Sequence, residues 1–282
     1  MKRPAILLHK DELGPVGLDL QPISSLNTMQ HIPHRDDHYM FVLLQAGSFA
    51  WEVDFNRIVL RQPSVCFIAP GQVHHYLDFK RAKGWFVFID SPLISSQCRN
   101  ILDSCLHICQ SAGIDKGDTL FTLVPALDEV LNGPALALKK SLAGSLSDTL
   151  AALVASKLVQ AQHTTNLVGG QKYHTFVHFK QMINTRYREM KQVKAYAAAL
   201  HITPLYLNEV VKEITGFPAS YWIHQEVLLE AKRMLCYTAM DVKQIAYDLG
   251  YEDHAYFSRF FKRHAGMTAL AFRDTKPLFV QS

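Results

Sequence analysis

Two short segments near the C-terminus carry polar side chains at spacings that suit contact with nucleic-acid bases. The first runs from Thr203 to Gly216 and the second from Asp253 to Gly266. Each opens with a residue that caps helices and closes with glycine, so each predicts a short helix. Outward positions are occupied by Leu205, Tyr206, Asn208, Glu209 and Lys212 in the first helix and by His254, Ala255, Ser258, Arg259 and Lys262 in the second. Amide, carboxylate and guanidinium groups can pair with adenine, cytosine and guanine, while lysine holds phosphate.

A second set of chemically active side chains lies in the N-terminal third. Its histidines are His31, His34, His38, His74 and His75. Histidines bind metals, but no HxH pair occurs here and the nearest glutamate is Glu52. We therefore expect these imidazoles to hydrogen-bond a small ligand, and we predict no metal and no other cofactor. The candidate pocket residues are Phe41, Trp51, His74, Tyr76 and Trp85, although the aromatic ones could equally form an ordinary barrel core.

The elements that must position these histidines are strands. Residues 31–90 contain short β-branched and aromatic runs separated by turn residues, which predict strands at 38–44, 49–55, 58–60, 65–69, 74–79 and 85–89. Several short strands of this kind are typical of a small barrel or jelly roll. Apolar residues then recur at helical spacing, which predicts helices near 101–109, 120–131 and 142–162.

The two polar segments near the C-terminus share one plan. Each follows a shorter predicted helix, at 193–200 or 242–249, and a turn at His201 or Gly250. One predicted helix, from Ala219 to about Tyr237, joins them. Nineteen residues span about 28 Å, and successive major-groove faces lie about 34 Å apart. The sequence thus predicts two helix-turn-helix units held for adjacent groove segments.

Composition excludes some classes of protein and localises the basic charge. Of the 282 residues, 49% are hydrophobic and 19% charged, which argues against disorder. Charged residues interrupt the apolar stretch 135–161, so we predict no membrane span, and the apolar run after Pro4 is too short for a secretory signal. Residues 172–276 hold fifteen basic and ten acidic side chains, and the remainder holds fourteen and fifteen. The basic surplus therefore lies on the segment with both helical pairs, as expected of a nucleic-acid-binding domain.

Three motifs in this basic segment resemble the DNA-binding domain of AraC/XylS-type transcription regulators. They are the strings Glu230-Ala231-Lys232-Arg233-Met234-Leu235, Val242-Lys243-Gln244-Ile245-Ala246-Tyr247-Asp248-Leu249-Gly250-Tyr251 and Tyr256-Phe257-Ser258-Arg259-Phe260-Phe261-Lys262. Two positions depart from the family pattern. Glu226 and Val227 stand where an arginine is usual, and Ala269 replaces the usual proline after Thr268.

The resemblance implies an α+β multidomain chain. Residues 1–165 would form a cupin-like β-barrel with following helices that binds an effector and dimerises, 166–173 a linker, and 174–282 an all-α domain with two helix-turn-helix units joined by a linker helix. The dimer surface is predicted on helix 140–162, whose leucine stripe could equally pack against its own barrel.

The function implied is that of a sequence-specific, cytoplasmic transcription regulator that is not an enzyme. Its expected partners are double-stranded promoter or operator DNA, a small-molecule effector and a second copy of the chain, with RNA polymerase a further candidate. The alternative is a metal-dependent cupin enzyme with an appended DNA-binding domain. A third hypothesis is a binding protein whose helical domain contacts another protein.

Overall fold

The computed structural model describes residues 7–9, 13, 16–25, 32–61, 63–106, 108–134, 136–161 and 170–275. These residues fall into two compact units, one containing residues up to 161 and the other starting at residue 170. The N-terminal unit combines a largely antiparallel sheet with helices, whereas the described part of the C-terminal unit is helical. At this level the predicted mixed α and β class is confirmed.

The strands of the N-terminal unit form one eight-stranded sheet. They are β1 (Leu7–His9), β2 (Leu18–Pro22), β3 (His34–Asp36), β4 (Tyr39–Val53), β5 (Asn56–Arg61), β6 (Ser64–Ile68), β7 (His74–Ile89) and β8 (Ser111–Gly113). Among the described strands, β1 and β3 pair in parallel and the other pairs are antiparallel.

The long strands β4 and β7 each run through both ends of this sheet. At one end β4 lies between β6 and β7, and at the other between β5 and β7. Separate strands had been predicted at 38–44 and 49–55, where β4 lies, and at 74–79 and 85–89, where β7 lies. Both predictions were wrong, because glycine lets each strand bend without ending. Gly47 has a φ of 80°, and a Cβ there would lie 2.3 Å from the Arg81 carbonyl oxygen. A Cβ on Gly84 would lie 2.0 Å from the Leu43 carbonyl oxygen.

The bent strands separate two hydrophobic cores. The helix-facing core includes Tyr39, Phe41, Leu43, Val65, Phe67, Val87, Leu127, Leu150 and Val154. The strand-only core, which apart from Ile23 is made of strand residues, includes Met40, Val42, Leu44, Phe49, Trp51, Val53, Tyr76 and Phe86. Successive side chains at the start of β4 alternate between the two cores, as the pleat of a strand requires.

Three α-helices cover the helix-facing core: α1 (Ser96–Cys105), α2 (Thr119–Asn132) and α3 (Lys139–Ala161). α3 is long and apolar enough to cross a membrane by length and composition, with a mean hydropathy of 1.3. Within its own unit, however, Leu150 and Val154 are fully buried in the helix-facing core, and Leu146 and Leu153 are half-buried. The leucine stripe therefore packs mainly inside its own unit, and dimerisation through residues 140–162 stays a prediction.

The C-terminal unit consists of consecutive helices. They are α4 (Gln171–Arg186), α5 (Val193–Ala199), α6 (Pro204–Thr215), α7 (Ala219–Tyr237), α8 (Val242–Asp248), α9 (His254–Ala265) and α10 (Ala269–Thr275). The predicted linker 166–173 lies partly outside the described residues, and from Gln171 it already belongs to α4. The predicted helix between Ala219 and Tyr237 is confirmed as α7.

Candidate nucleic-acid interface

The first helical pair, α5 and α6, is held by a small apolar contact and by defined helix ends. Tyr196 and Ala197 of α5 are buried, as are Leu207 and Val211 of α6. The Thr203 hydroxyl accepts a hydrogen bond from the Tyr206 amide at 3.2 Å, which caps α6. Proline at the first helical position needs no amide partner, and glycine in the left-handed conformation ends the helix.

The second helical pair, α8 and α9, repeats this arrangement. Asp241 and Gln244 form a reciprocal capping box at the start of α8. Asp253 accepts a hydrogen bond from the Ala255 amide at 2.8 Å and so caps α9. Phe257 and Phe261 are fully buried and anchor α9. α9 has the same twelve-residue length as α6 and also ends at a left-handed glycine.

The turn of the second pair is locked more tightly than that of the first. Gly250 has a φ of 79°, and a Cβ there would lie 1.9 Å from the Arg188 carbonyl oxygen. The Lys191 ammonium donates to the carbonyl oxygens of Arg188 at 2.8 Å and Leu249 at 2.6 Å. Burial, with a smaller contribution from the positive charge of Arg188, lowers the pKa of Lys191 to about 8. In the first turn, His201 takes the positive φ, at 55°.

α7 is the common support for both pairs, because it contacts α5, α6, α8 and α9. Trp222 and Ile223 are buried near its start, and Val227, Ala231 and Leu235 continue the buried face. The Trp222 indole nitrogen donates to the Thr215 hydroxyl at 2.9 Å, which ties α7 to the end of α6. Both second helices thus share one scaffold within this unit.

The predicted contact residues of α6 differ in how available they are. Leu205 is 70% exposed, and Glu209 and Lys212 are exposed as well. Tyr206 and Asn208 are half-buried. The Asn208 side-chain oxygen accepts a hydrogen bond from the Ala219 amide at 3.0 Å, so it caps α7 from within the unit. Asparagine would pair with adenine through its side-chain oxygen and its side-chain amino group. In Asn208 the oxygen is therefore already hydrogen-bonded within the protein.

The predicted contact residues of α9 are more exposed and more basic. His254, Ala255, Arg259 and Lys262 are exposed, while Ser258 is half-buried and donates to the His254 carbonyl oxygen at 2.9 Å. The Arg259 guanidinium carbon lies 6.0 Å from the centre of the Tyr256 ring. That distance is at the outer limit of a cation–π contact.

Sequence reasoning left out exposed aromatic side chains beside these cations. Tyr256 is 60% exposed and Tyr247 is 50% exposed, and the Lys243 ammonium lies 5.9 Å from the Tyr247 ring. The signal was present in the sequence, because both tyrosines fall on the polar side of an otherwise regular helical pattern. Their hydroxyl groups add hydrogen-bonding capacity to this surface.

The predicted pocket residues of the N-terminal unit are divided between two places. Trp51 and Tyr76 are stacked in the strand-only core at 6.3 Å, and the His74 ring lies 6.5 Å from that of Trp51. Phe41 belongs to the helix-facing core, and Trp85 packs against that core. A cavity of about 320 Å³ lies elsewhere, lined by Val59, Leu60, Arg61, Ser64, Ser111, Ala112 and Gly113. The effector pocket stays a prediction.

One group in the N-terminal unit has the composition of a metal site. His34, Asp36 and His74 are buried, and one potential ligand atom of each lies within 4.8 Å of the others. Asp36 was absent from the sequence prediction, which considered histidines and glutamate. His31 lies outside the described residues.

Comparison with known proteins identifies the C-terminal region. A family model described as a helix-turn-helix domain matches residues 196–275. The C-terminal unit contains an AraC-type helix-turn-helix domain. The predicted resemblance is thereby confirmed for this region of the chain.

The relatives of this AraC-type domain are transcription regulators. The transcriptional regulator YisR of Bacillus subtilis (strain 168) is 29% identical over 91 residues, which are 32% of this chain and 32% of the relative. The transcriptional activator RhaR of Yersinia pseudotuberculosis serotype O:1b is 36% identical over 76 residues, which are 27% of this chain and 25% of the relative. The chain therefore spans about a third or less of the length of these relatives.

Among solved structures, ToxT from Vibrio cholerae O395 is similar over 94% of this chain and 98% of its own, with 11% identity and a TM-score of 0.43.

Proposed function

We propose that the protein is a transcription regulator that binds specific sites in double-stranded DNA through α6 and α9. The observation that carries the proposal is the repetition of one capped helical pair on the shared support of α7, within an AraC-type domain. In this proposal each pair is a helix-turn-helix unit, and its second helix enters the major groove.

The length of α7 supports simultaneous binding of two groove segments. Its nineteen residues span about 28 Å, somewhat less than the roughly 34 Å between successive major-groove faces. The two second helices would therefore lie close to one helical turn of DNA apart. A modest bend of the DNA would bring the two groove segments closer together.

The two helices would read different bases. In this proposal Arg259 would make a bidentate contact with guanine, and Glu209 would accept from the cytosine amino group. Leu205 offers an apolar contact to a thymine methyl group, and Lys212 and Lys262 offer contacts to phosphate. Asn208 would contribute through the side of its amide that does not cap α7.

The N-terminal unit would regulate this DNA binding. We propose that it is a cupin-like barrel that binds a small-molecule effector and that a homodimer forms through residues 140–162. In the cytoplasm, the macromolecular partners of the whole protein would be promoter or operator DNA and, at the promoter, RNA polymerase. The proposal assigns the chain no enzymatic reaction, because the relatives matched by its C-terminal region are regulators.

The test is selection of DNA from a random library by the purified full-length chain. We expect an enriched motif with two half-sites about one helical turn apart, and we expect Arg259→Ala to relax one base position in it. An Arg57→Ala variant, which removes an exposed arginine from the N-terminal unit, serves as the control. Recovery of no enriched motif would overturn the proposal.

A further inference from the structure

The strand pairing of the N-terminal unit brings two histidines and an aspartate together. His34 and Asp36 are two residues apart on β3, so both side chains point to the same side of the strand. His74 begins β7 and lies directly opposite His34 in the register. The Gly71 amide donates to the Asp36 carbonyl oxygen at 2.8 Å, which ties the turn before His74 to β3.

Backbone contacts fix which nitrogen of each imidazole faces the cluster. His34 Nδ1 lies 2.9 Å from the Ile32 carbonyl oxygen, and His74 Nδ1 lies 3.1 Å from the Gln72 carbonyl oxygen. A carbonyl oxygen only accepts hydrogen bonds, so both Nδ1 atoms must carry the proton. Nε2 is therefore the nitrogen of each ring that can act as a metal ligand. Histidines that bind metals show this same arrangement, in which the second ring nitrogen donates to a carbonyl group.

The carboxylate of Asp36 lies beside these imidazoles and adds an oxygen ligand to the cluster. His74 Nε2 lies 3.5 Å from Asp36 Oδ2, and the rings of His34 and His74 are centred 4.3 Å apart. His38 Nε2 lies 3.8 Å from the same Asp36 oxygen. The exposed fractions of His34, Asp36 and His74 are 8%, 6% and 0%, so these three side chains form a cluster that is almost closed to solvent.

We propose that His34, Asp36 and His74 bind one divalent transition-metal ion. Two imidazoles and one carboxylate with open positions suit Zn²⁺ or Fe²⁺. Ligands about 2.1 Å from a tetrahedral ion lie about 3.4 Å apart, close to the present separation of His74 Nε2 and Asp36 Oδ2. The most distant pair, within 4.8 Å, requires only a small closure of the side chains. The bound ion would join β3 to the start of β7.

The segment that carries His74 is held rigidly by a buried hydrogen-bond network. The Asp54 carboxylate accepts from the Val73 amide at 3.1 Å and from the Gln72 side-chain amide at 2.9 Å. Gln72 in turn accepts from the Ala69 amide at 3.0 Å. Such support of a ligand's backbone is what a pre-organised metal site needs.

The experiment uses the full-length chain without an affinity tag, stripped with a chelator. Zn²⁺, Mn²⁺ and, without oxygen, Fe²⁺ are added separately, and bound metal is measured by mass spectrometry after desalting. We expect one ion per chain for at least one metal, and a thermal midpoint that rises with metal concentration. Asp36→Asn and His74→Gln should each lower the affinity at least tenfold. The matched control is His75→Gln, which alters the adjacent buried histidine and should leave the affinity unchanged.

X-ray absorption of the zinc-loaded wild type keeps the proposal testable if a variant fails to fold. Nitrogen and oxygen ligands with imidazole scattering would support the site. Sulfur ligands would overturn it, because the ion would then be bound by cysteines. The absence of stoichiometric metal, or wild-type affinity in Asp36→Asn and His74→Gln, would also overturn it. DNA selection by the same variants is independent of this result, so failure of the metal site is distinguishable from failure of the proposed regulator.

Discussion

The two helical pairs of the C-terminal unit share the length and the ends of their second helices but differ in surface charge. α6 and α9 have equal lengths, and residues 50 positions apart occupy equivalent places in them. α6 contains one lysine and two glutamates, a formal charge of −1, whereas α9 contains two arginines and one lysine, a formal charge of +3. Glu209 and Arg259 are equivalent positions with opposite charge. The buried residues therefore set the helix packing that both pairs repeat, and the exposed residues give each second helix its own role. α9 should contribute most of the electrostatic attraction to DNA.

The largest expected effect tests the difference between the two turns. Gly250→Ala would force a Cβ against the Arg188 carbonyl oxygen at a positive φ, so we expect a loss of about 3 kcal/mol or more in the free energy of unfolding. His201→Gly removes the strain of a positive φ in the equivalent turn, so its stability should change by less than about 1 kcal/mol. Urea denaturation measures both. Equal effects of the two substitutions would contradict the different roles given to the turns.

The next effect tests the opposite charges at equivalent positions. Arg259→Ala should weaken binding to the selected DNA by about 1–3 kcal/mol and relax the preference for one guanine. Glu209→Ala should relax a base in the other half-site with little loss of affinity, because it also removes a negative charge that the DNA phosphates repel. Fluorescence anisotropy with single-base DNA variants measures both effects. An unchanged base preference in Arg259→Ala would contradict the assignment.

A smaller effect separates Asn208 from its equivalent, Ser258. Asn208→Ala should destabilise the unit by about 0.5–2 kcal/mol, because the Ala219 amide at the start of α7 loses its acceptor. The Ser258 hydroxyl donates to a carbonyl oxygen of its own helix, so Ser258→Ala should change stability by less than about 0.5 kcal/mol. Thermal denaturation of the two variants tests this difference. If Asn208→Ala is as stable as the wild type, the predicted difference is wrong.

The smallest effect concerns Lys191, which holds the second turn. Its pKa is lowered to about 8 by burial, whereas an unfolded chain gives lysine its ordinary value near 10.5. Between these values the unfolded state binds more protons, so the stability of the wild type should rise with pH from about 8 to 10.5. Because Lys191 is only half-buried, the rise should stay below about 1 kcal/mol. The measurement is the free energy of unfolding of the wild type minus that of Lys191→Met across this pH range. This difference should rise with pH, and a constant difference would contradict the prediction.

Local signals in the sequence were sufficient to predict helix ends in the C-terminal unit. Thr203, Asp253, Gly216 and Gly266 mark helix ends through contacts within a few residues, and the structure has helix ends at those places. The structural use of Asn208 was not predictable in this way. It depends on the position of Ala219 after the chain has turned.

Non-local contacts explain what the sequence did not reveal in the N-terminal unit. Phe41 and Trp51 are ten residues apart, so simple alternation places them on one face of a strand. The register shifts between Leu44 and Ser48 and again at Trp51, and the two side chains enter different cores. Asp36 acquires significance only through His74, which another strand supplies.

The central claim is that the chain binds DNA mainly through the basic face of α9. It is tested most directly by the salt dependence of affinity for the selected DNA, measured for the wild type, Lys262→Ala and the equivalent variant Lys212→Ala. We predict that affinity falls as salt rises, and that Lys262→Ala reduces the slope of log K against log salt by about 1 and more than Lys212→Ala does. An affinity independent of salt, or equal slopes for the wild type and Lys262→Ala, would contradict the claim.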